Sequence, residues 1–246
     1  ILVKLLIKKV PISSKMSYLI AIGTSVCGAT AIVATAPVIN AKKSEVAYAI
    51  ANITLFGVIA MIVYPYFAEW YFDNDALKIG LFLGTSIHET SQVAAAGLIY
   101  DQQFNSPETL NVATVTKLIR NTFLVILIPL FAFLYNRGEL KGQNYSILSI
   151  FPYFVIGFIG MIVVRNIGDQ FFTPDNNSYD LWINLIGYLK TLATVFLTMA
   201  MAAVGISINL GELKSMGYKP FVVGLIAAVT VGFISLIYIE TLTKFI

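Results

Sequence analysis

The sequence predicts an all-α membrane protein, a polytopic bundle of transmembrane helices. Of its 246 residues, 58% are hydrophobic and only 12% are charged, and the mean hydropathy is +0.81. Soluble domains usually have about a quarter of their residues charged, so a chain this apolar cannot cover a surface that faces water. The apolar residues are also gathered into long stretches joined by short polar connectors. At about 20 apolar residues per span, the chain accommodates about seven helices.

Seven apolar stretches are interpreted as the spans of one transmembrane domain that covers residues 1–246. Backbone groups in hydrocarbon must be paired within the structure, and runs such as residues 123–128 lack the alternation of a barrel strand, so each stretch is predicted to be a helix. The stretches are Tyr18–Ile39, Val46–Phe67, Ala76–Tyr100, Val112–Tyr135, Ile147–Val164, Leu181–Ile208 and Phe221–Ile239.

The distribution of lysine and arginine predicts the orientation, because cytoplasmic loops carry an excess of both. If all seven stretches cross the membrane, one side receives Lys4, Lys8, Lys9, Lys15, Lys78, Arg137, Lys141, Lys214 and Lys219. The other side then receives Lys42, Lys43, Arg165 and Lys244. The first side is therefore predicted to be cytoplasmic.

Motifs for catalysis and for cofactors are absent from the sequence. Cys27 is the single cysteine, which excludes an internal disulfide and a multi-cysteine metal site. The pair His88-Glu89 is followed by Gln92 where a zinc helix would need a second histidine. The sequence also lacks a nucleophile elbow, a phosphate-binding loop and a dinucleotide fingerprint. We expect neither an enzyme nor a cofactor, a bound metal or a nucleic-acid partner.

The first stretch contains residues that weaken a helix in its middle. Thr24, Ser25, Cys27 and Gly28 lie there among further small residues, and Pro37 follows. Transporters use such breaks to aim helix N-termini at anionic solutes, which makes these four residues candidates for a solute path. The alternative is a face of small residues that packs against another helix.

The third stretch contains ionisable residues that do not belong in lipid. On a helical wheel Thr85, His88, Glu89 and Gln92 fall on one narrow stripe. An ionisable residue inside a span costs at least ~2.5 kcal/mol and is a functional candidate by default, and His88 can titrate near neutral pH. We expect a path for a solute or for protons here. The alternative is a buried pair that holds two helices in register.

Two further stretches carry basic residues. Lys117 and Arg120, near the start of the fourth stretch, lie three residues apart and share a helix face. They could neutralise Glu89 or attract an anionic solute, or their side chains could reach the headgroups. In the sixth stretch, Lys190 precedes the small residues 200–205, which indicate either a second weakened helix or close helix packing.

The first and third stretches contain similar short segments. Residues 23–26 read Gly-Thr-Ser-Val and residues 84–87 read Gly-Thr-Ser-Ile. The two segments lie two predicted spans apart, so we expect them to run in the same direction. On that count they are not an inverted repeat.

Several segments together resemble the YeiH-type family of bacterial membrane proteins, whose members are usually called sulfate exporter family transporters. The segments that carry the resemblance are residues 23–32, 36–39, 55–57, 64–65, 86–89, 92–97, 117–120 and 200–205. The resemblance covers nearly the whole chain from Tyr18 onward.

The resemblance implies a multi-pass protein of the bacterial inner or plasma membrane. It also implies inverted repeats with two broken helices that cross near the midplane, here in the first and sixth stretches, and about three helices of the first repeat missing before Tyr18. The expected function is secondary transport of a small anionic solute, sulfate-like or organic, coupled to protons or a cation. Alternatives are a membrane-embedded enzyme or sensor that uses Cys27 and His88, and a structural protein. Expected partners are the solute and the lipid bilayer, and a homo-oligomer is left open.

Overall fold

The computed structural model describes residues 12–37, 39–124, 126–127, 130, 153–174, 178–207 and 217–244. These residues contain helices and no strands. The helices are α1 (Ser14–Ser25), α2 (Gly28–Thr35), α3 (Lys43–Phe72), α4 (Ala76–Ser86), α5 (Thr90–Phe104), α6 (Pro107–Thr122), α7 (Tyr153–Phe171), α8 (Tyr179–Ser207) and α9 (Lys219–Leu242). Two compact units are formed, one by residues 1–151 with 210–246 and the other by residues 152–209.

The long helix α3 is the reference axis of the first unit. At about 1.5 Å per residue, its 30 residues extend for about 45 Å. It begins after Lys42, whose backbone N–H donates to the Glu45 carboxylate, and it ends at Asp73 in the left-handed conformation with φ 51°. Of the described helices, α3 and α9 are long and apolar enough to cross a membrane. We refer below to the first end of α3, where it begins, and to its second end.

Helix α9 lies against α3 and runs parallel to it. The Tyr48 hydroxyl, near the first end of α3, donates to the carbonyl of Gly217 at 2.9 Å. Further along, the Tyr64 ring packs against Gly232. Both pairs advance in the same direction along the two helices, so the two helices form a parallel pair.

The first apolar stretch forms a helical hairpin instead of a span. Helix α1 has 12 residues, about 18 Å, which is too short for a hydrocarbon core of about 30 Å. It ends before a turn at Val26 and Cys27, and α2 then folds back, because Ile32 packs against Gly23. The Lys15 ammonium near the start of α1 donates to the carbonyl of Asn40, beyond α2, at 2.7 Å. Both ends of this hairpin therefore lie together; we call it hairpin 1.

The position of hairpin 1 follows from its contacts with α3. The Ser13 hydroxyl donates to the Glu45 carboxylate at 2.5 Å. Deeper in the unit, Ile53 packs against Gly23. Hairpin 1 therefore enters at the first end of α3, and α1 runs parallel to α3.

The third apolar stretch is interrupted at Ile87–Glu89, between α4 and α5. Helix α6 shows how the two halves are arranged. Val112 and Thr116 on α6 pack against Gly80 and Gly84 on α4, so these two helices run in parallel. The predicted continuous helix is wrong, and with it the single polar stripe expected from the helical wheel.

Helix α5 runs opposite to α4. Leu110 on α6 packs against Gly97, and the Asn121 side chain donates to the Thr90 hydroxyl at 3.0 Å. Residue numbers rise on α6 as they fall on α5, so α5 and α6 are antiparallel. Helices α4 and α5 are therefore the two arms of a second hairpin, which we call hairpin 2.

Hairpin 2 enters from the second end of α3. The ring of Phe82 on α4 packs at a tilt against those of Tyr64 and Phe67, with centroids 5.1 and 5.9 Å apart. The Tyr100 hydroxyl on α5 donates to Glu69 at 2.5 Å. Helix α4 runs antiparallel to α3, whereas α1 runs parallel to it. The two Gly-Thr-Ser segments therefore point in opposite directions, which corrects the expectation that they run the same way.

This arrangement also corrects the predicted distribution of charges. Lys15 and Lys42 were expected on opposite sides, but Lys15 contacts Asn40 beside Lys42, at the first end of α3. Lys78 lies at the second end, where its ammonium is 3.5 Å from the Asp75 carboxylate. The two hairpins each enter and leave at one end, so the first and third stretches are not spans. Lys4, Lys8, Lys9, Arg137, Lys141 and Lys214 lie outside the described residues.

The second unit contains α7 and α8, which pack around Trp182. The Trp182 indole N–H donates to the Asp169 carboxylate at 2.9 Å, and its ring stacks on Phe172 with centroids 5.3 Å apart. Asp169 also accepts from Arg165 at 2.6 Å. Helix α8 is continuous as far as Ser207, so the expected break within residues 200–205 is wrong. The single transmembrane domain stays a prediction.

Candidate functional site

The tips of the two hairpins meet inside the first unit. The backbone N–H of Gly28 in hairpin 1 donates to the carbonyl of His88 in hairpin 2 at 3.2 Å. Beside it, the Cys27 sulfur lies 3.6 Å from the Thr90 hydroxyl. Ile53, ten residues along α3, packs against Gly28. At about 1.5 Å per residue the meeting point lies about 15 Å from the first end of α3, which is half the thickness of a typical hydrocarbon core.

Lys117 joins the two tips through their carbonyl groups. Its ammonium donates to the carbonyl oxygens of Val26, Ile87 and His88 at 2.8, 2.9 and 2.5 Å. An ammonium has three N–H donors, so its capacity is filled. The side chain is fully buried, with 0% exposure. It does not reach toward headgroups, and its hydrogen bonds go to the protein backbone.

Arg120 binds the same two tips from the next turn of α6. Its guanidinium donates to the carbonyls of Thr24 and Ser25 in hairpin 1, at 2.7 and 3.0 Å. It also donates to the carbonyls of Thr85 and Ile87 in hairpin 2, at 2.7 and 3.2 Å. The last carbonyls of a helix lack partners within the helix. The two basic side chains supply those partners for α1 and α4 together.

The charges of these side chains match the ends of the helices that they bind. The C-terminus of a helix carries a partial negative charge of about half an elementary charge. Helices α1 and α4 bring two such ends to one place, and Lys117 and Arg120 bring two cations. The ion pairs among the described residues are Lys78–Asp75 and Arg165–Asp169, so neither cation forms a direct ion pair with Glu89, which was one of the readings left open.

Glu89 lies at the opposite ends of the broken helices. It precedes α5 as its N-cap residue, but its side chain does not cap α5. Instead the carboxylate accepts the backbone N–H of Ala29 in the first turn of α2. Glycine at position 28 makes this approach feasible, because a Cβ atom there would lie 2.7 Å from the Glu89 carboxyl carbon. The carboxylate is 4% exposed and occupies the N-terminus of a helix from the other hairpin.

Gln92 fixes hairpin 2 against α3. Its amide nitrogen donates to the carbonyl of Thr54 at 3.1 Å, and its amide carbon would be 2.7 Å from a Cβ atom at Gly57. The amide oxygen is buried and has no hydrogen-bond partner. The contact that Gln92 makes is with α3, and its place on a solute path stays a prediction.

The remaining candidates sit at the same meeting point. His88 is 2% exposed, and its Nδ1 atom is buried without a hydrogen-bond partner. The hydroxyl groups of Thr24 and Ser25 donate to carbonyls one turn back in α1, at 2.9 and 2.6 Å. The Cys27 thiol lies 3.6 Å from the Thr90 hydroxyl.

The structure thus gathers all nine predicted site residues at one place and adds others. Thr90 and Asn121, next to the Cys27 thiol and the end of α6, were not among the predicted site residues. Ser235 on α9, which hydrogen-bonds to Thr85, was also missed. A hydroxyl in the apolar last stretch is a signal that could have identified Ser235.

Comparisons with known proteins agree on one family. A family model described as conserved hypothetical protein 698 matches residues 1–224. A UPF0324 membrane protein of Fusobacterium nucleatum is 34% identical over 96% of this chain and 69% of its own length. A UPF0324 membrane protein of Streptococcus agalactiae is 35% identical over 84% of this chain and 58% of its own length. The UPF0324 inner membrane protein YeiH of Escherichia coli is 33% identical, over 85% of this chain and 56% of its own length.

The chain therefore spans between about half and two thirds of the length of these relatives. No solved structure matches it. The matches confirm the resemblance read from the sequence and the expected location in the bacterial inner membrane. The chain belongs to the UPF0324 family of bacterial membrane proteins, which includes YeiH.

Proposed function

We propose that this chain is the core of a secondary transporter, which moves a small anion across the membrane past the tips of hairpins 1 and 2. The observation that carries the proposal is the meeting of the tips of two hairpins that enter from opposite ends of α3, joined by the Gly28–His88 hydrogen bond. We place this meeting point near the centre of the bilayer. Irregular backbone at that depth is tolerated only where protein buries it or where it lines a water-filled cavity. Transport of this kind involves no covalent chemistry, so the proposal includes no catalytic residue.

The charge at the tips favours an anion. Lys117 and Arg120 contribute two positive charges and Glu89 one negative charge, which leaves one positive charge at the tips. Charges interact more strongly in a low-dielectric interior than in water, so an anionic solute would compensate this excess. The N-termini of α2 and α5 also meet here, and their N–H groups attract anions.

Polar groups near the tips offer a surface for the solute. Ser25 and Thr30 in hairpin 1 are exposed, and Thr90 and Ser91 in hairpin 2 are partly exposed. Hydroxyl groups at bilayer depth can replace part of the hydration of an anion that enters. They extend the predicted path of Thr24, Ser25, Cys27 and Gly28 onto the first turn of α5.

The two hairpins support the inverted-repeat part of the proposal. Hairpin 1 precedes α3 and enters at its first end, whereas hairpin 2 precedes α6 and enters at its second end. Each hairpin is thus followed by a helix that runs away from the entry side, and each carries a Gly-Thr-Ser segment at the same place. We propose that hairpins 1 and 2 are the equivalent elements of two inverted repeats, as in other secondary transporters.

Glu89 is the group through which transport would couple to protons. Protonation would remove the charge that its carboxylate holds at the N–H of Ala29. The ionisable groups of the elements packed around it are Lys117 and Arg120 on α6, Cys27 in hairpin 1, and His88 beside it in hairpin 2. Release of the N–H would leave room for the anion to bind.

The test is flux through proteoliposomes made with the full-length protein that carries this sequence. Vesicles loaded with radiolabelled sulfate or acetate are diluted, and loss of label is followed with and without a pH gradient. We expect saturable flux for one of these anions, abolished in His88→Ala and Glu89→Gln and unchanged in Glu108→Gln, an exposed carboxylate at the start of α6. Flux of both anions no faster than in protein-free vesicles would exclude the proposal for these solutes, and unchanged flux in Glu89→Gln would remove the coupling role.

A further inference from the structure

The charged residues of the first unit are sorted between the two ends of α3. Lys15 and Lys42 lie at the first end, where the Lys15 ammonium donates to the carbonyl of Asn40. Helix α9 begins at the same end, because the Tyr48 hydroxyl donates to the carbonyl of Gly217 just before that helix. The described charged residues at this end are Lys15, Lys42, Lys43, Lys219 and Glu45. Four positive charges against one negative charge leave an excess of three positive charges.

The second end has the opposite excess. The Thr109 hydroxyl on α6 is 3.4 Å from the carbonyl of Ala76, and Ile239 on α9 lies in one apolar cluster with Phe72, so α6 begins and α9 ends here. The described charged residues at this end are Lys78, Lys244, Glu69, Asp73, Asp75, Asp101, Glu108 and Glu240. Two positive charges against six negative charges leave an excess of four negative charges. An anionic partner is therefore attracted to the first end and repelled by the second.

The lysines at the first end are accessible to a partner. Lys42, Lys43 and Lys219 are exposed, and none of them forms an ion pair within the part of the chain that the structure describes. The Glu45 carboxylate is buried, and it accepts hydrogen bonds from the Ser13 hydroxyl and the Lys42 backbone N–H. Its charge is thus engaged inside the fold. We call Lys42, Lys43 and Lys219 the basic surface.

An apolar ridge on α9 starts beside the basic surface. Side chains four residues apart form a ridge along a helix, and the members of this one are between 37% and 64% exposed. They are Phe221, Leu225, Val229, Phe233 and Ile237. Phe221 follows Lys219 by two residues, so the ridge and the charge are adjacent. A partner that covers both must carry an anionic group and an apolar body side by side.

Two exposed tyrosines indicate the depth of this ridge in a membrane. Tyr218 is the N-cap residue of α9, and Tyr238 lies near the end of that helix. The helix between these two positions is about 30 Å long, which is the thickness of a hydrocarbon core. Tyrosine is enriched at both surfaces of a bilayer. This spacing puts Lys219, next to Tyr218, at the level of the headgroups and the ridge at the level of the acyl chains.

We propose that the basic surface and the α9 ridge together bind an acidic phospholipid. The lipid phosphate lies among Lys42, Lys43 and Lys219, and an acyl chain lies along the ridge from Phe221 onward. Lysines close to a membrane surface attract anionic headgroups. A soluble anion would leave the ridge uncovered, and a zwitterionic lipid would bring no net charge to the lysines. The inference goes beyond transport and does not depend on it, because it concerns only the outer surface of the first unit.

The experiment compares how two lipids stabilise the full-length protein that carries this sequence. The protein is purified in a neutral detergent, and its thermal unfolding midpoint is measured with added dioctanoyl phosphatidylglycerol or dioctanoyl phosphatidylcholine. At about ten times its half-saturating concentration, we expect phosphatidylglycerol to raise the midpoint by about 3–6 °C more than phosphatidylcholine does. In about 1 M sodium chloride, where the screening length is ~3 Å, this difference should fall by more than half.

A variant and a matched control locate the effect. The variant Lys42→Gln/Lys43→Gln/Lys219→Gln removes the charges of the basic surface and keeps the backbone N–H that binds Glu45. We expect it to lose at least half of the difference between the two lipids. The control Lys78→Gln/Lys244→Gln removes the lysines of the second end and should keep the full difference. If the triple variant is not monodisperse, Lys219→Gln is compared with Lys244→Gln, and only the first should reduce the difference.

Three results would overturn the inference. Equal midpoints in the two lipids would remove the preference for an acidic headgroup. An equal rise with glycerol 3-phosphate, which has the phosphate but no acyl chains, would indicate a site for a free anion instead of a lipid. Equal reductions in the variants of the two ends would show that the lipid responds to overall charge and not to the basic surface.

Discussion

Replacement of Lys117 by methionine should strongly destabilise the first unit. The substitution removes the donor for three buried carbonyls, those of Val26, Ile87 and His88. The carbonyls of Ile87 and His88 keep Arg120 and the Gly28 N–H as donors, so the cost is the loss of three charge-assisted hydrogen bonds rather than three unpartnered acceptors. Each such bond contributes about 1.5–3 kcal/mol, while removal of the buried ammonium returns part of this as relieved desolvation. We therefore expect a loss of about 3–5 kcal/mol, the lower part of what three such hydrogen bonds contribute.

This loss can be measured as a thermal shift. A chain of this size loses about 2–4 °C of midpoint per kcal/mol, so Lys117→Met should unfold at least ~6 °C below the wild type in the same detergent. Lys78→Met is the matched control, since Lys78 is partly exposed and pairs only with Asp75 at the unit's edge. Such a surface pair contributes about 0–1 kcal/mol. If the two variants unfold within 2 °C of each other, the account of Lys117 as the joint between the tips is refuted.

Two further predictions test the hairpins. Single cysteines that replace Lys15, Lys42 and Lys78 in a cysteine-free background can be labelled in sealed vesicles by a maleimide that does not cross the membrane. Because the ends of hairpin 1 lie together, we expect positions 15 and 42 to be labelled from the same side and position 78 from the opposite side. Labelling of positions 15 and 78 from one side would instead support seven simple spans. Gly57→Ala should cost about 1–3 kcal/mol, because its Cβ would lie 2.7 Å from the Gln92 amide carbon. That cost should fall below about 0.5 kcal/mol when Gln92 is replaced by alanine, as a double-mutant cycle of denaturation midpoints would show; an equal cost in both backgrounds would contradict the contact.

The sequence predicted the class of fold, and which residues lie together, better than it predicted how the helices are arranged. Hydropathy identifies apolar stretches of sufficient length, but it does not distinguish a span from a hairpin of similar length. Residues 18–39 and 76–100 both passed that test and both fold back. The signal for the turn was present in the repeated Gly-Thr-Ser segments, whose residues favour helix ends over helix interiors.

The roles of the charged residues depended on contacts that the sequence does not contain. The spacing of Lys117 and Arg120 placed them on one helix face, but it left open whether they point inward or reach the headgroups. Their partners are backbone carbonyls from segments about 30 and 90 residues away, and carbonyls carry no residue identity. For the same reason an interaction of Glu89 with a backbone N–H could not be distinguished from an ion pair.

The two basic residues of α6 also limit how this protein can move. Each of them holds carbonyls from both hairpins at once, seven hydrogen bonds in total. If a hinge opened one tip alone, several of these carbonyls would lose their hydrogen-bond donors. No water would be present there to replace those donors. To expose the meeting point first to one side of the membrane and then to the other, α6 and both tips would therefore have to move together as one rigid body. The surfaces that slide past one another would lie farther from the tips.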